Sequence, residues 1–301
     1  MLKQAFLAAI TVLALFAGPV QAREIKHAMG TTEVPDAPKR VVVLTNEGTE
    51  ALIALGVVPV GASNSWNGNP WWKHISDVMV DADPLGKENS INLELVAALE
   101  PDLIISNKLR HEAIYPQLSA IAPTVASERL KGDWKVNFRL YAQTLGLSEK
   151  GDALIKDYEA RVAALSGALA YKLQEKVSVV RFVPGQIRIY QLDSFSGVVL
   201  KDIGFKRPEN QNVEKFAIRT GKESIPDMDG DRIFYFTYDN GNGDGNALRE
   251  DVLADPLWQS LSAVKAGRVH AVSDAIWNTA GGVLAARKML DNVAKIYSVE
   301  P

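Results

Sequence analysis

The stretch Ile91 to His111, INLELVAALEPDLIISNKLRH, most narrows what this chain can become. Asn92 is placed to cap a helix on which Leu93, Val96, Ala97 and Leu99 recur at helical spacing. Pro101 ends that helix, because the residue before a proline is pushed out of the α region. Leu103-Ile104-Ile105 is short and wholly apolar, which fits a buried strand. A helix, a stop and a buried strand in so short a stretch point to an open α/β sheet. Ligands in such sheets bind just beyond the carboxyl ends of the strands, where Asn107 and Arg110 lie.

The same alternation runs along the chain. Arg40–Leu44 reads as a buried strand, Glu47–Leu55 as a helix closed by Gly56, and Val57–Gly61 as a second strand. Glu149–Leu173 is the longest helical pattern, with Leu154, Tyr158, Val162, Leu165, Leu169 and Leu173 on one stripe. Lying halfway along the chain with α/β units on both sides, it is expected to connect two lobes. The second half restarts with Val177–Val183, turns at Pro184-Gly185 and returns as Ile187–Tyr190. Arg232–Tyr238 and Arg268–Val272 read as strands, and Gly282–Tyr297 as a closing helix. The expected fold is α/β. Two lobes with central, mainly parallel sheets, residues 23–147 and 174–301, are joined by one long connecting helix, residues 148–173. A faint echo links the halves. Glu94 precedes Asp102 by eight residues and Glu223 precedes Asp231 by eight, each time just before an apolar strand.

The first 22 residues read as a signal peptide. Lys3 supplies the positive start, Ala5–Ala17 is uncharged and apolar, and Val20-Gln21-Ala22 fits a cleavage site. The apolar run is shorter than the ~20 residues a membrane span needs. The chain has no Cys, which removes disulfides, zinc–thiolate sites, iron–sulfur clusters, a Cys nucleophile and a lipid-modified N-terminal Cys. A free periplasmic location is therefore expected. The formal net charge of −3 makes the chain a poor binder of nucleic acid, so any anion site must be a local arginine cluster.

Arginine and aromatic residues, with one Asn, recur at the predicted strand ends: Trp66, Asn107, Arg110, Arg181, Arg188, Tyr190, Phe236, Tyr238 and Trp277. That composition suits a large, partly apolar, anionic ligand. Val177, Val179, Arg181 and Val183 share one strand face, and an Arg on an apolar face needs an anionic or hydrogen-bonding partner. A ligand is the expected partner. Trp277 stands in a polar loop, where a Trp more often meets a partner than the core. Enzyme signals fail. There is no G-x-S-x-G elbow, no P-loop and no dinucleotide fingerprint. The four His, at 27, 74, 111 and 270, lack metal-site spacing and are expected on the solvated surface. Asn240–Asp251 resembles a calcium loop imperfectly, with Asn for the first Asp and Asp for the bidentate Glu, so a flexible polar loop is expected.

The mature chain as a whole resembles the helical-backbone substrate-binding proteins of ATP-driven importers. The segments that carry the resemblance include VVVLTNEGTEALIALGVVPVG, PDLIISNKLRHE, GDWKVNFRLYA, SVVRFVPGQIRIY, MDGDRIFYFTY and IWNTAGG. The likeness is to receptors for ferric citrate–hydroxamate siderophores of the schizokinen and aerobactin type. It implies a ligand cleft between the lobes, small closing motion, a monomer, and no cofactor or protein metal site, because the siderophore supplies every oxygen ligand to iron. It also implies docking on an inner-membrane permease with its ATPase through one acid per lobe, at the positions of Glu94 and Glu223. Ferric citrate, haem and a corrinoid are alternative ligands. A haem would call on Tyr190 or Tyr238, and the arginine count argues against a neutral corrinoid. A ferric-siderophore hydrolase would need a nucleophile–base pair that the sequence does not display.

Overall fold

A computed structural model describes residues 22–300. The expected signal segment lies outside them except for Ala22, which opens strand β1 (Ala22–His27), the partner of β2 (Gly30–Pro35) in a small hairpin. The first lobe is built on β3 (Val41–Val43), β4 (Gly61–Asn64), β5 (Asp83–Lys87), β6 (Ser90–Ile91), β7 (Leu103–Asn107) and β8 (Thr124–Ser127). They form a six-stranded sheet in the order β6-β5-β4-β3-β7-β8, parallel except at the β5–β6 edge. The second lobe holds β9 (Val177–Val183), β10 (Gln186–Tyr190), β11 (Ala217–Thr220), β12 (Arg232–Thr237) and β13 (Val269–Ala271) in the order β11-β10-β9-β12-β13. Here the hairpin side is antiparallel and the β9–β12–β13 side parallel. The fold is thus two α/β lobes with mixed, mainly parallel sheets.

Two-residue alternation assigns each sheet face to a different core. Val41, Val43, Leu103 and Ile105 join a core that also takes Val177, Val179, Phe234 and Phe236 from the other lobe. Between them lie Tyr158, Val162 and Leu165 of the connecting helix Ser148–Ala168 and Phe138 of the helix Trp134–Thr144. The opposite faces close separate outer cores: Val42, Leu44 and Ile104 with Val96 and Leu118, and Val180, Phe182 and Ile187 with Trp258. One apolar core therefore runs through both lobes. Parting the lobes would re-expose such side chains at about 1.5–3 kcal/mol each, which favours small relative motion.

The echo noticed in the sequence has a structural cause. Asp102 accepts the backbone N–H of Lys39 (2.8 Å) and Arg40 (2.9 Å), where the neighbouring strand β3 begins. Asp231 accepts the N–H of Lys176 at 2.7 Å, where β9 begins. Each aspartate opens a parallel strand and clamps the start of its neighbour.

Several expectations need correction. Val57–Gly61 is not a strand, and β4 starts only at Gly61, because Pro59 removes a ladder donor and Val57 instead closes the helix Asn46–Ala54 through Leu52 (2.8 Å). The connecting helix stops at Ala168 and tightens into a 3₁₀ turn, Ala170–Lys172. The C-terminal helix, Val283–Tyr297, is not confined to the second lobe. The Ala285 N–H near its start donates to Glu50 of the first lobe at 2.8 Å, and the other Glu50 oxygen meets His74 Nε2 at 2.6 Å. A Cβ on Gly282 would fall 2.7 Å from Glu50 Cβ, so this approach requires glycine. Not all the histidines are solvated. His74 is drawn inward by Glu50. His111 is buried, bonded to Ser106 (3.0 Å) and to the Glu88 carbonyl (2.7 Å), and burial pushes its pKa down to about 4.

Candidate functional site

A cavity of about 710 Å³ opens between the lobes. Glu47, Trp66, Glu88, Arg110 and Lys131 line it from the first lobe, and Arg181, Arg188, Phe216, Arg219, Tyr238 and the 278–281 segment line it from the second. Strand register explains the arginines. Arg188 of β10 stands opposite Arg181 of β9 on one side and opposite Arg219 of β11 on the other. Residues in register point to the same face, so three guanidinium groups form one row across adjacent strands. Like charges directly opposite destabilise a sheet. The row makes physical sense where anions neutralise it.

One neutralising anion belongs to the chain. Asp274 takes Arg181 in a two-pronged pair, Nε–Oδ1 at 2.6 Å and Nη2–Oδ2 at 3.1 Å, with both side chains buried. Burial pushes the Asp274 carboxyl up, while Arg181 and Thr279 pull it back down. Arg181 also lies 5.1 Å over the ring of Tyr238. Among the described residues Arg188 hydrogen-bonds only Gln186 Oε1, at 3.2 Å, and Arg219 is exposed at the cavity edge.

Across the cavity, Arg110 is 3.3 Å from buried Glu88 and 5.6 Å over Trp66. Glu88 is itself held by the backbone N–H (2.6 Å) and the side chain (2.9 Å) of Asn46. Lys131 sits 5.2 Å over Phe216 of the other lobe. Five cationic side chains thus face two acids, and burial pushes one of these, Glu47, up to about 8. The cavity is positively charged, with Trp66, Phe195, Phe216 and Tyr238 as its aromatic walls.

Of the residues singled out in the sequence, Trp66, Arg110, Arg181, Arg188 and Tyr238 meet at this cavity. The others do not line it. Tyr190 is buried behind Arg181, whose Nη1 donates to its hydroxyl at 3.4 Å. Phe236 packs against Tyr190 in the core, ring centroids 5.7 Å apart. Trp277 is fully buried in a π-helical turn, its ring 4.6 Å from Phe234 and its Nε1 donating to Asn292 at 3.2 Å. Its body has a core slot and its one polar atom a partner, so nothing drives it toward a ligand. Asn107 is not beyond β7 but ends it, fully buried and pinned to Ser127 Oγ at 2.8 Å. The sequence reading missed Glu88, Lys131, Phe216, Arg219 and Asp274. Only Arg219 carried a local signal, as an Arg in a short β-like run, Ala217–Thr220, before Gly221. The 240–251 loop turns on Asp239, which accepts N–H groups from Gly241 (2.8 Å), Gly243 (3.0 Å) and Asn246 (3.1 Å). A helix starts at Asp244, in the middle of the stretch expected to be a flexible polar loop.

The model of the periplasmic binding protein family matches residues 41–275. A probable siderophore-binding lipoprotein of Bacillus subtilis is 49% identical over 284 residues, covering 91% of this chain and 87% of that one. The achromobactin-binding periplasmic protein of Dickeya dadantii is 30% identical, covering 87% of each chain. Among solved structures, Staphylococcus aureus SirA complexed with staphyloferrin B superposes with a TM-score of 0.87 at 35% identity, covering 92% of this chain and 99% of that one. These comparisons correct the expected location. The relative that is 49% identical is named a lipoprotein, so the expected free periplasmic location is not upheld. The chain belongs to the periplasmic binding protein family, in its siderophore-binding branch, whose members bind substrates rather than transform them.

Proposed function

We propose that this protein captures a ferric siderophore of the citrate–hydroxamate class and presents it to an ABC permease with its ATPase. The observation that carries the reading is the arginine row 181–188–219 facing Arg110 and Lys131 across an inter-lobe cavity. The guanidinium groups hold the anionic oxygens of the complex, and Trp66, Phe216 and Tyr238 cover its apolar arms. The siderophore keeps all the iron ligands, so the protein acts as a monomeric carrier without cofactor or catalytic group. We divide it at residues 23–147 and 174–301, with the connecting helix as the fixed strut.

Intrinsic fluorescence tests this, with Trp66 on the cavity as reporter. Ferric schizokinen, ferric staphyloferrin B, ferric citrate, haem, a corrinoid and iron salt are titrated in parallel. Tight quenching by a ferric siderophore and none by iron salt is expected. Binding of iron without a chelator, or no response to any ferric siderophore, overturns the proposal.

Glu94 and Glu223 are proposed as the docking acids. Both are exposed, and each stands eight residues before one of the equivalent clamping aspartates. Among the described residues the Glu94 carboxylate has no hydrogen-bond partner on the first turn of the helix Leu93–Ala98, whereas Glu223 accepts from Thr220 Oγ1 (2.9 Å) and the Gly221 N–H (3.0 Å). Exposed carboxylates pair with permease arginines and set register. Glu94→Ala with Glu223→Ala should leave the siderophore Kd unchanged and abolish cellular uptake. Normal uptake by the exported double variant would exclude the docking role.

A further inference from the structure

Glu47 is an acid in a cavity built for anions, and its surroundings show how it fits there. It is the second residue of the helix Asn46–Ala54 and only 5% exposed. Among the described residues, no Lys, Arg or His forms an ion pair with it. Its Oε1 accepts the Asn137 amide at 2.8 Å and the Tyr141 hydroxyl at 3.5 Å. The Asn137 amide is fixed in that orientation, because it also donates to the Arg129 carbonyl at 2.8 Å. Both donors address one oxygen, as they would the carbonyl oxygen of a carboxylic acid. Oε2 has no partner among the described residues, and the residue lines the cavity. A buried carboxyl without a cation stays neutral.

We propose that Glu47 is a ligand-binding residue that works as a carboxylic acid, its Oε2 hydroxyl donating a hydrogen bond to an anionic oxygen of the ferric siderophore at the first-lobe end of the cavity. This deepens the function proposed above and rests on it. The row of arginines then grips one side of the complex by charge, while Glu47 reads an oxygen on the other. A ligand presenting an ammonium or other donor there is disfavoured, because the acid already carries a proton.

Burial, with Glu88 and Asp133 adding repulsion, pushes Glu47 up to about 8, while Asn137 and Tyr141 pull the other way. Arg110, Lys131 and the arginine row are the charged groups across the cavity. The sign follows from linkage. Binding that needs the protonated form is complete below about pH 8 and weakens roughly tenfold per pH unit above it.

The test uses the whole protein and ferric schizokinen, with ferric staphyloferrin B in parallel, titrated from about pH 6.5 to about pH 9.5. The wild type should hold its Kd at the acid end and lose affinity roughly tenfold per unit at the alkaline end. Glu47→Gln, whose amide donates at every pH, should show a flat profile across the same range. Affinity that is flat or rises with pH in the wild type, or an alkaline loss that persists in Glu47→Gln, overturns the proposal. Calorimetry of the wild type near pH 8.5 in buffers of different ionisation enthalpy gives a check that needs no variant. Uptake of about three-quarters of a proton per ligand is expected, and no uptake, or release, is fatal to the idea. Failure of both complexes to bind at neutral pH would instead remove the parent function, and this inference with it.

Discussion

Replacing Arg181 by Ala is expected to lower stability by ~3–5 kcal/mol, a larger effect than any direct loss of ligand contact at that position. The change strands the Asp274 carboxylate, whose side chain is 3% exposed and, among the described residues, retains only Thr279, at 3.0 Å, as a hydrogen-bonding side chain, with Arg188 attracting it from further off. The Tyr190 hydroxyl loses its donor and the Tyr238 ring its cation. Asp274 begins the turn that leads to the 278–281 wall of the cavity, so binding should weaken as a consequence of loosening. Urea unfolding of Arg181→Ala reads the loss. Arg181→Met combined with Asp274→Asn should recover much of it, since removing both charges of a buried pair is far milder than removing one. Unchanged stability with abolished binding would show that Arg181 serves the ligand alone.

Arg188→Ala combined with Arg219→Ala should do the opposite, weakening ferric siderophore binding by about a hundredfold to ten-thousandfold while stability holds or rises slightly. Each lost charge-assisted contact is worth ~1.5–3 kcal/mol, roughly ten- to a hundredfold in Kd. Among the described residues neither arginine forms an ion pair, and each adds like-charge repulsion to a neighbouring strand, which offsets the longer-range attraction between Arg188 and Asp274. The salt dependence of binding should shrink as well, because these two groups are the more accessible part of the row. Fluorescence titration at two ionic strengths and urea midpoints together decide it. An unchanged Kd would mean that the row faces solvent, not ligand.

These two experiments separate residues that the sequence reading grouped together. Arg181 and Arg188 looked equivalent, each an arginine near a strand end. Periodicity placed Arg181 correctly on an apolar face and required a partner for it. It could not say that the partner lies 93 residues further on, in the Asp274 turn, because a buried ion pair between distant segments leaves no local pattern. The aromatics show the same limit. Trp66 and Trp277 both occur in polar stretches, yet Trp66 lines the cavity and Trp277 fills the core. Amphipathic rings suit either place, and the decision rests on which slot and which polar partner the folded chain offers.

What the sequence alone determined is what local physics encodes. The Asn92 cap, the Pro101 stop, the β9–β10 turn at Gly185, the central helix and the final helix all follow from capping, proline geometry, positive φ at glycine and apolar period. The two-lobe α/β plan follows from their order. What only the tertiary structure decided is which strand faces share the central core, which arginines stand in one row, and where Glu47 and Glu50 meet the elements around them. Those features depend on strand register and on contacts between distant segments. Alternation along one strand is blind to both, because it separates two faces without naming the neighbour each will meet.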